Sequence, residues 1–111
     1  MPTRLPHWQV MERFDPELLD KIEPWREQLL TEGVLPLRDK ELIMSAMCGV
    51  VRFLPGFTIH AERALQHGAT DRELFEVCAL TLLIGGVPAY RESVLALEAL
   101  LGERAGKEVT A

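Results

Sequence analysis

The stretch from Thr70 to Ile84 limits what this chain can become more than any other part of it. Thr70-x-x-Glu73 is a capping box, in which each side chain satisfies the other residue's backbone N–H at a helix start. The helix it opens is apolar nearly all round until Gly85-Gly86 ends it. A helix with so little polar surface is expected in a core. A second such segment runs from Leu37 to Phe53, with Arg38-Asp39-Lys40-Glu41 in its first turns. Ile43, Met47, Val50 and Leu54 form its apolar face, and Leu42, Met44 and Ala46 widen it. Only Glu41, Ser45, Cys48 and Arg52 remain as a polar stripe. Pro55-Gly56 reads as its break. Two such helices in 111 residues leave more apolar surface than a monomer can hide, so the spacing predicts a homo-oligomer.

Around these two elements the rest of the chain reads as helices with irregular ends. Residues 1–14 read as an irregular arm. Asp15-Pro16-Glu17 is a helix start, with a capping carboxylate, proline at the first helical position and an acid near the positive end of the dipole. Leu18, Ile22, Trp25 and Leu29 then recur at helical spacing, interrupted by Pro24 and stopped by Gly33. A short helix is expected from Thr58 to His67, stopped by Gly68. After Pro88 a last helix carries Tyr90, Val94, Leu97 and Leu101 on one side, and residues 103–111 read as a mobile tail. The expectation is one all-α domain of about five helices spanning residues 1–111.

Composition narrows the function. Apolar residues make up 48% of the chain and aromatics 6%, so the core must be aliphatic, which suits packed helices better than a sandwich. A net charge of −5 argues against a nucleic-acid partner, which would need a basic face. The amino terminus lacks the pattern of a signal peptide. The apolar run from Val77 to Pro88 falls short of a bilayer span of roughly 20 residues, so no membrane partner is expected. Cys48 and Cys78 do not make a disulfide framework, and a reducing cytoplasm is the expected setting.

A few residues could carry chemistry. His60 lies near a helix amino terminus, which disfavours the charged imidazole and suits a base or proton relay; a capping or packing role is the other reading. Glu41, on an otherwise apolar helix, is costly to bury unless paired, or else is a first-turn acid favoured by the dipole. Cys48 and Cys78 read as small hydrophobes, or as a bridge if their helices pack closely. His67, seven residues after His60, is about 10 Å along the helix axis and too far to share one metal ion, so no metal site is expected. His7 lies in the arm and points to nothing. Arg52 and Arg63 are the candidate anion holders for a small-molecule substrate, or else solvated surface arginines. Gly85-Gly86 lacks the lysine of a phosphate loop and reads as a tight turn.

One pattern joins these residues. His60, Ala64-Leu65, Gly68-Ala69-Thr70, Glu73-Leu74 and Glu76-Val77, running on to Gly85-Gly86-Val87-Pro88-Ala89, resembles the carboxymuconolactone decarboxylase family, which includes the alkylhydroperoxidase D branch. The resemblance covers roughly residues 37–101 and implies an alkylhydroperoxidase D-like helical bundle assembled as a trimer or hexamer. In the peroxidase branch a C-x-x-C pair stands seven and four residues before the histidine, and here those positions hold Phe53 and Gly56. The histidine of the family takes part in proton transfer. A glutamate nineteen residues earlier, the position of Glu41, joins the relay in the peroxidase branch.

The resemblance therefore implies a cofactor-free enzyme of the decarboxylase kind, acting on a small unsaturated lactone or related carboxylate with His60 and Glu41 as the acid–base couple. A thiol peroxidase is the alternative, but its two sulfurs are missing. A non-catalytic oligomeric scaffold or ligand-binding protein is the third reading.

Overall fold

The computed structural model describes residues 6–110, with side chains described through residue 107. Five helices and no strand are found among the described residues: α1 (Pro6–Phe14), α2 (Pro16–Leu29), α3 (Leu37–Val51), α4 (Leu54–Gln66) and α5 (Asp71–Thr110). The all-α expectation holds. The chain divides into two compact units, one up to Glu32 and one from Gly33 onward.

The first unit is a pair of helices. Residues 6–14, expected to be irregular, form α1, which has no buried residue. Residues 1–5 of the expected arm lie outside the described residues. The Asp15 side chain accepts from the Leu18 N–H, so the cap before Pro16 forms as expected. The Arg26 guanidinium lies 4.4 Å over the Trp8 ring and ties α2 to α1. Pro24 sits inside α2 without ending it. Of the stripe expected to be buried, Leu18, Trp25 and Leu29 are exposed, and Leu19 is the buried residue instead.

The second unit is α3, α4 and α5, each packed on the other two. Its core joins Phe57, Ala61 and Ala64 of α4 to Ala69 and to Leu74, Cys78, Leu97 and Leu100 of α5. The capping box is present in full: the Thr70 N–H donates to Glu73 Oε1 at 2.8 Å, and the Glu73 N–H donates to Thr70 Oγ1 at 3.1 Å. Arg38 reaches the same carboxylate at 3.0 Å and pins the start of α3 to the start of α5. Within α5, Gly86 has φ 80 and ψ −179, backbone that residues with a Cβ avoid, and two helical segments meet there. The turn expected at Gly85-Gly86 is this break. The expected tail from Glu103 is instead a helical continuation to Thr110.

Two expectations fail in instructive ways. α4 begins at Leu54 rather than Thr58, and Pro55-Gly56 lies in its first turn. Proline tolerates a first turn because that N–H has no helical partner anyway. The break falls one turn earlier, at Arg52, whose φ of 60 and ψ of 35 end α3. The inner face of α3 is also the opposite of the expected one. Glu41, Ser45 and Gly49 are buried, whereas Ile43, Met47 and Val51 are exposed. The reason is close approach: a methyl group on Gly49 would stand 3.0 Å from Cγ2 of Thr81 and 3.4 Å from Cβ of Ser93. The buried hydroxyls of this crossing donate within their own helices, Ser45 to the Glu41 carbonyl at 2.8 Å and Thr81 to the Cys78 carbonyl at 2.6 Å. No burial cost is left unmet there.

α5 likewise shows Leu80, Leu83, Ile84 and Val87 to solvent. By length and composition alone α5 could cross a membrane, since it contains an 18-residue window of mean hydropathy 1.4. The non-helical Gly86 and the following Pro88 interrupt it.

Candidate active site

The site is built by an antiparallel meeting of α3 and α4. On α3, Glu41, Ser45 and Gly49 follow at four-residue spacing and share the inward face. Glu41 is only 4% exposed. A carboxylate taken out of water needs a partner. It has one: Oε2 lies 2.6 Å from Nδ1 of His60, nineteen residues on and in the second turn of α4. The facing of these two residues, which the family resemblance implied, is therefore present.

This geometry divides the imidazole into two ends. Nδ1 is committed to Glu41, which fixes the ring orientation and leaves Nε2 as the nitrogen outside that contact. Nε2 has no hydrogen-bond partner among the described residues, and no buried side-chain nitrogen or oxygen among them lacks one, so solvent reaches this atom. The His60 side chain keeps 17% exposure against 6% for that of Glu41. A buried carboxylate behind a partly open imidazole can stabilise the imidazolium and let Nε2 give or take a proton.

The two cysteines are not joined to each other. Both are free thiols. Burial, and next the negative charge of Glu41, push the Cys48 thiol up from its ordinary value. Burial also pushes the Cys78 thiol up, although a hydrogen bond from Ser93 works the other way. A peroxidatic thiol needs the opposite shift. The bridge that the sequence left open is absent.

The two arginines separate. The Arg52 N–H closes α3 by donating to the Gly49 carbonyl, and its exposed guanidinium pairs with Glu92 at 3.5 Å. It joins the α3 terminus to α5. Arg63 is partly buried, one turn beyond His60, with no ion-pair partner among the described residues. His67 is exposed and ends α4, its N–H donating to the Arg63 and Ala64 carbonyls. No group of three or more metal-type side chains gathers among the described residues.

What the sequence did not reveal is the packing at Gly56. Phe53 and Cys48 crowd the space a side chain there would take, within 3.0 Å of its Cβ position. The three- and four-residue spacing of 53, 56 and 60 was the available signal. A separate surface groove, lined by Phe75, Val94, Leu97 and Leu101 with Arg72 and Glu98 at its rim, contains neither member of the pair.

The family model for the carboxymuconolactone decarboxylase family matches residues 16–99. A crystal structure of a provisionally assigned carboxymuconolactone decarboxylase from Burkholderia xenovorans LB400 superposes with a TM-score of 0.79 at 25% identity. The match covers 94% of this chain and 84% of that one. No curated protein matches.

Proposed function

The chain belongs to the carboxymuconolactone decarboxylase family, and from that premise we propose that it is a cofactor-free proton-transfer enzyme acting on a small unsaturated lactone or related carboxylate. The observation that carries this reading is the 2.6 Å contact between buried Glu41 and partly open His60. In the reaction, the bond from the lactone ring to its carboxylate breaks and carbon dioxide leaves. The bonding electron pair passes into the conjugated lactone carbonyl. Protonated His60 delivers its Nε2 proton to the carbon that keeps the charge, and the neutral ring is reprotonated from water. Glu41 stabilises the imidazolium through Nδ1 and holds its aim. The electron sink is the substrate's own carbonyl, so the step needs no cofactor. Arg63 is the candidate to hold the substrate's negative charge.

The thiol-peroxidase alternative requires a stabilised thiolate. Raised thiols at Cys48 and Cys78 speak against it. Carbon dioxide release from a carboxylated unsaturated lactone, measured for the wild type and for Cys48→Ser with Cys78→Ser, tests the choice. Release that survives loss of both thiols supports the decarboxylase reading. Hydroperoxide consumption that disappears with the thiols, with no lactone turnover, contradicts it.

The working form on this reading is a cytoplasmic homo-oligomer, with a trimer or hexamer as the family precedent. Supporting it are the exposed apolar stripes Ile43, Met47 and Val51 on α3 and Leu80, Leu83, Ile84 and Val87 on α5. Light scattering checks it. A mass near 12.5 kDa in dilute detergent-free solution would overturn it, as would a chain that stays dispersed only in lipid or detergent.

A further inference from the structure

Phe53, Gly56 and His60 are spaced so that all three fall on one side of α4 as it begins. Position 56 has no side chain, and its space is already filled. Cδ2 and Cε2 of the Phe53 ring lie 2.6 and 2.7 Å from where a Cβ would stand, and Cys48 Sγ lies 3.0 Å from the same point. Ring and thiol therefore converge on Gly56. A helical side chain leans over the turn before its own Cα, which brings the base of the His60 ring towards the same place. Nδ1 of that ring is held by Glu41, whose charge is also felt at Cys48. The thiol links the two pairs: it shares the Gly56 point with the aromatic ring, and it feels the carboxylate that holds the imidazole. Phe53 is the most exposed of the four residues, at 40%.

We infer that Phe53 is the gate of the Glu41–His60 site: its ring, seated on Gly56, covers one approach to His60 and sets which molecules reach it. The backbone on which the ring turns is fixed. The Phe53 N–H donates to the Cys48 carbonyl at 2.9 Å, and the Phe53 carbonyl accepts from the Phe57 N–H at 3.0 Å. Opening therefore requires rotation of the side chain alone. The inference rests on the pair being the place where substrate reacts, but the cover itself can be measured without turnover.

The test is site-resolved chemical labelling followed by peptide mass spectrometry. Diethyl pyrocarbonate reports on His60, with exposed His67 as its reference. Iodoacetamide reports on Cys48, with fully buried Cys78 as its reference. Phe53→Ala, which removes the ring, is expected to raise the His60 and Cys48 rates about tenfold while both references hold. Gly56→Ala places a methyl group against the ring, and it is expected to raise the same two rates with the ring still present. Unchanged His60 and Cys48 rates in both variants would overturn the gate. So would a Cys78 rate rising in step with that of Cys48, which marks general loosening. Faster labelling with no lactone turnover would leave the gate standing and remove the proposed reaction. Unchanged labelling beside lactone turnover would do the reverse.

Discussion

Nδ1 of His60 and Oε2 of Glu41 stand 2.6 Å apart, with the carboxylate almost wholly withdrawn from solvent. Taking away the imidazole strands a buried charge, and breaking such pairs costs about 3–5 kcal/mol. His60→Ala is therefore expected to lower stability by several kcal/mol, slightly moderated by the remaining exposure of the ring. Adding Glu41→Gln to it should recover most of the loss. Urea unfolding of the two single variants and the double variant measures this. Additive losses would mean that the pair is not coupled in the folded chain.

The Arg52 position gives the opposite sign. Its left-handed backbone costs an L residue roughly 1–2 kcal/mol, and glycine adopts it freely. Its partner Glu92 is a surface contact, which contributes little. Arg52→Gly should stabilise the chain by about 0.5–1 kcal/mol in thermal or urea melts and leave turnover intact. A fall in substrate affinity would return Arg52 to the role of anion holder.

Two glycines of α5 should respond in opposite directions. Gly86 occupies backbone open essentially to glycine alone, so Gly86→Ala is expected to cost about 1–3 kcal/mol. Gly102 has helical backbone and open space around its Cα, so Gly102→Ala should stabilise by about 0.5–1 kcal/mol. Melting temperatures moving in the same direction would refute the break at Gly86.

Acid should loosen the joint between α3 and α5. The Thr70 backbone N–H is the largest cause holding the Glu73 carboxyl below its ordinary value; the Thr70 hydroxyl and Arg38 add to it, and partial burial opposes. A carboxyl lowered on folding adds stability above its unfolded value of about 4.3, and that stability is lost as pH falls through the lower folded value. The stability gap between wild type and Glu73→Gln should be constant from neutral pH to about pH 5 and narrow progressively as pH falls below about 4. A gap that stays constant as pH falls below about 4 would contradict the cap and ion pair as its origin.

Particular residues show why some of this could be read from sequence. Thr70 and Glu73 predicted the start of α5 because a capping box is local chemistry. Glu41 and His60 were legible as a pair through the family resemblance carried by the residues around His60. α1 was missed because nothing in it is buried, which left no core periodicity to follow. The start of α4 was misplaced because Pro55-Gly56 reads as a breaker, although proline fits a first helical turn. The buried side of α3 was inverted because apolar bulk was weighed above closeness of approach. Gly49 and Ser45 are small, and small residues are what let α3 reach Thr81 and Ser93.

The central claim is that His60, aimed by Glu41, moves the proton. The direct measurement is the steady-state rate of carbon dioxide release from a carboxylated unsaturated lactone by the wild type, His60→Asn and Glu41→Gln, each first shown to be folded. The account predicts that kcat falls by about 10²–10⁴ for His60→Asn and by a smaller factor for Glu41→Gln. Turnover undiminished in folded His60→Asn would contradict it.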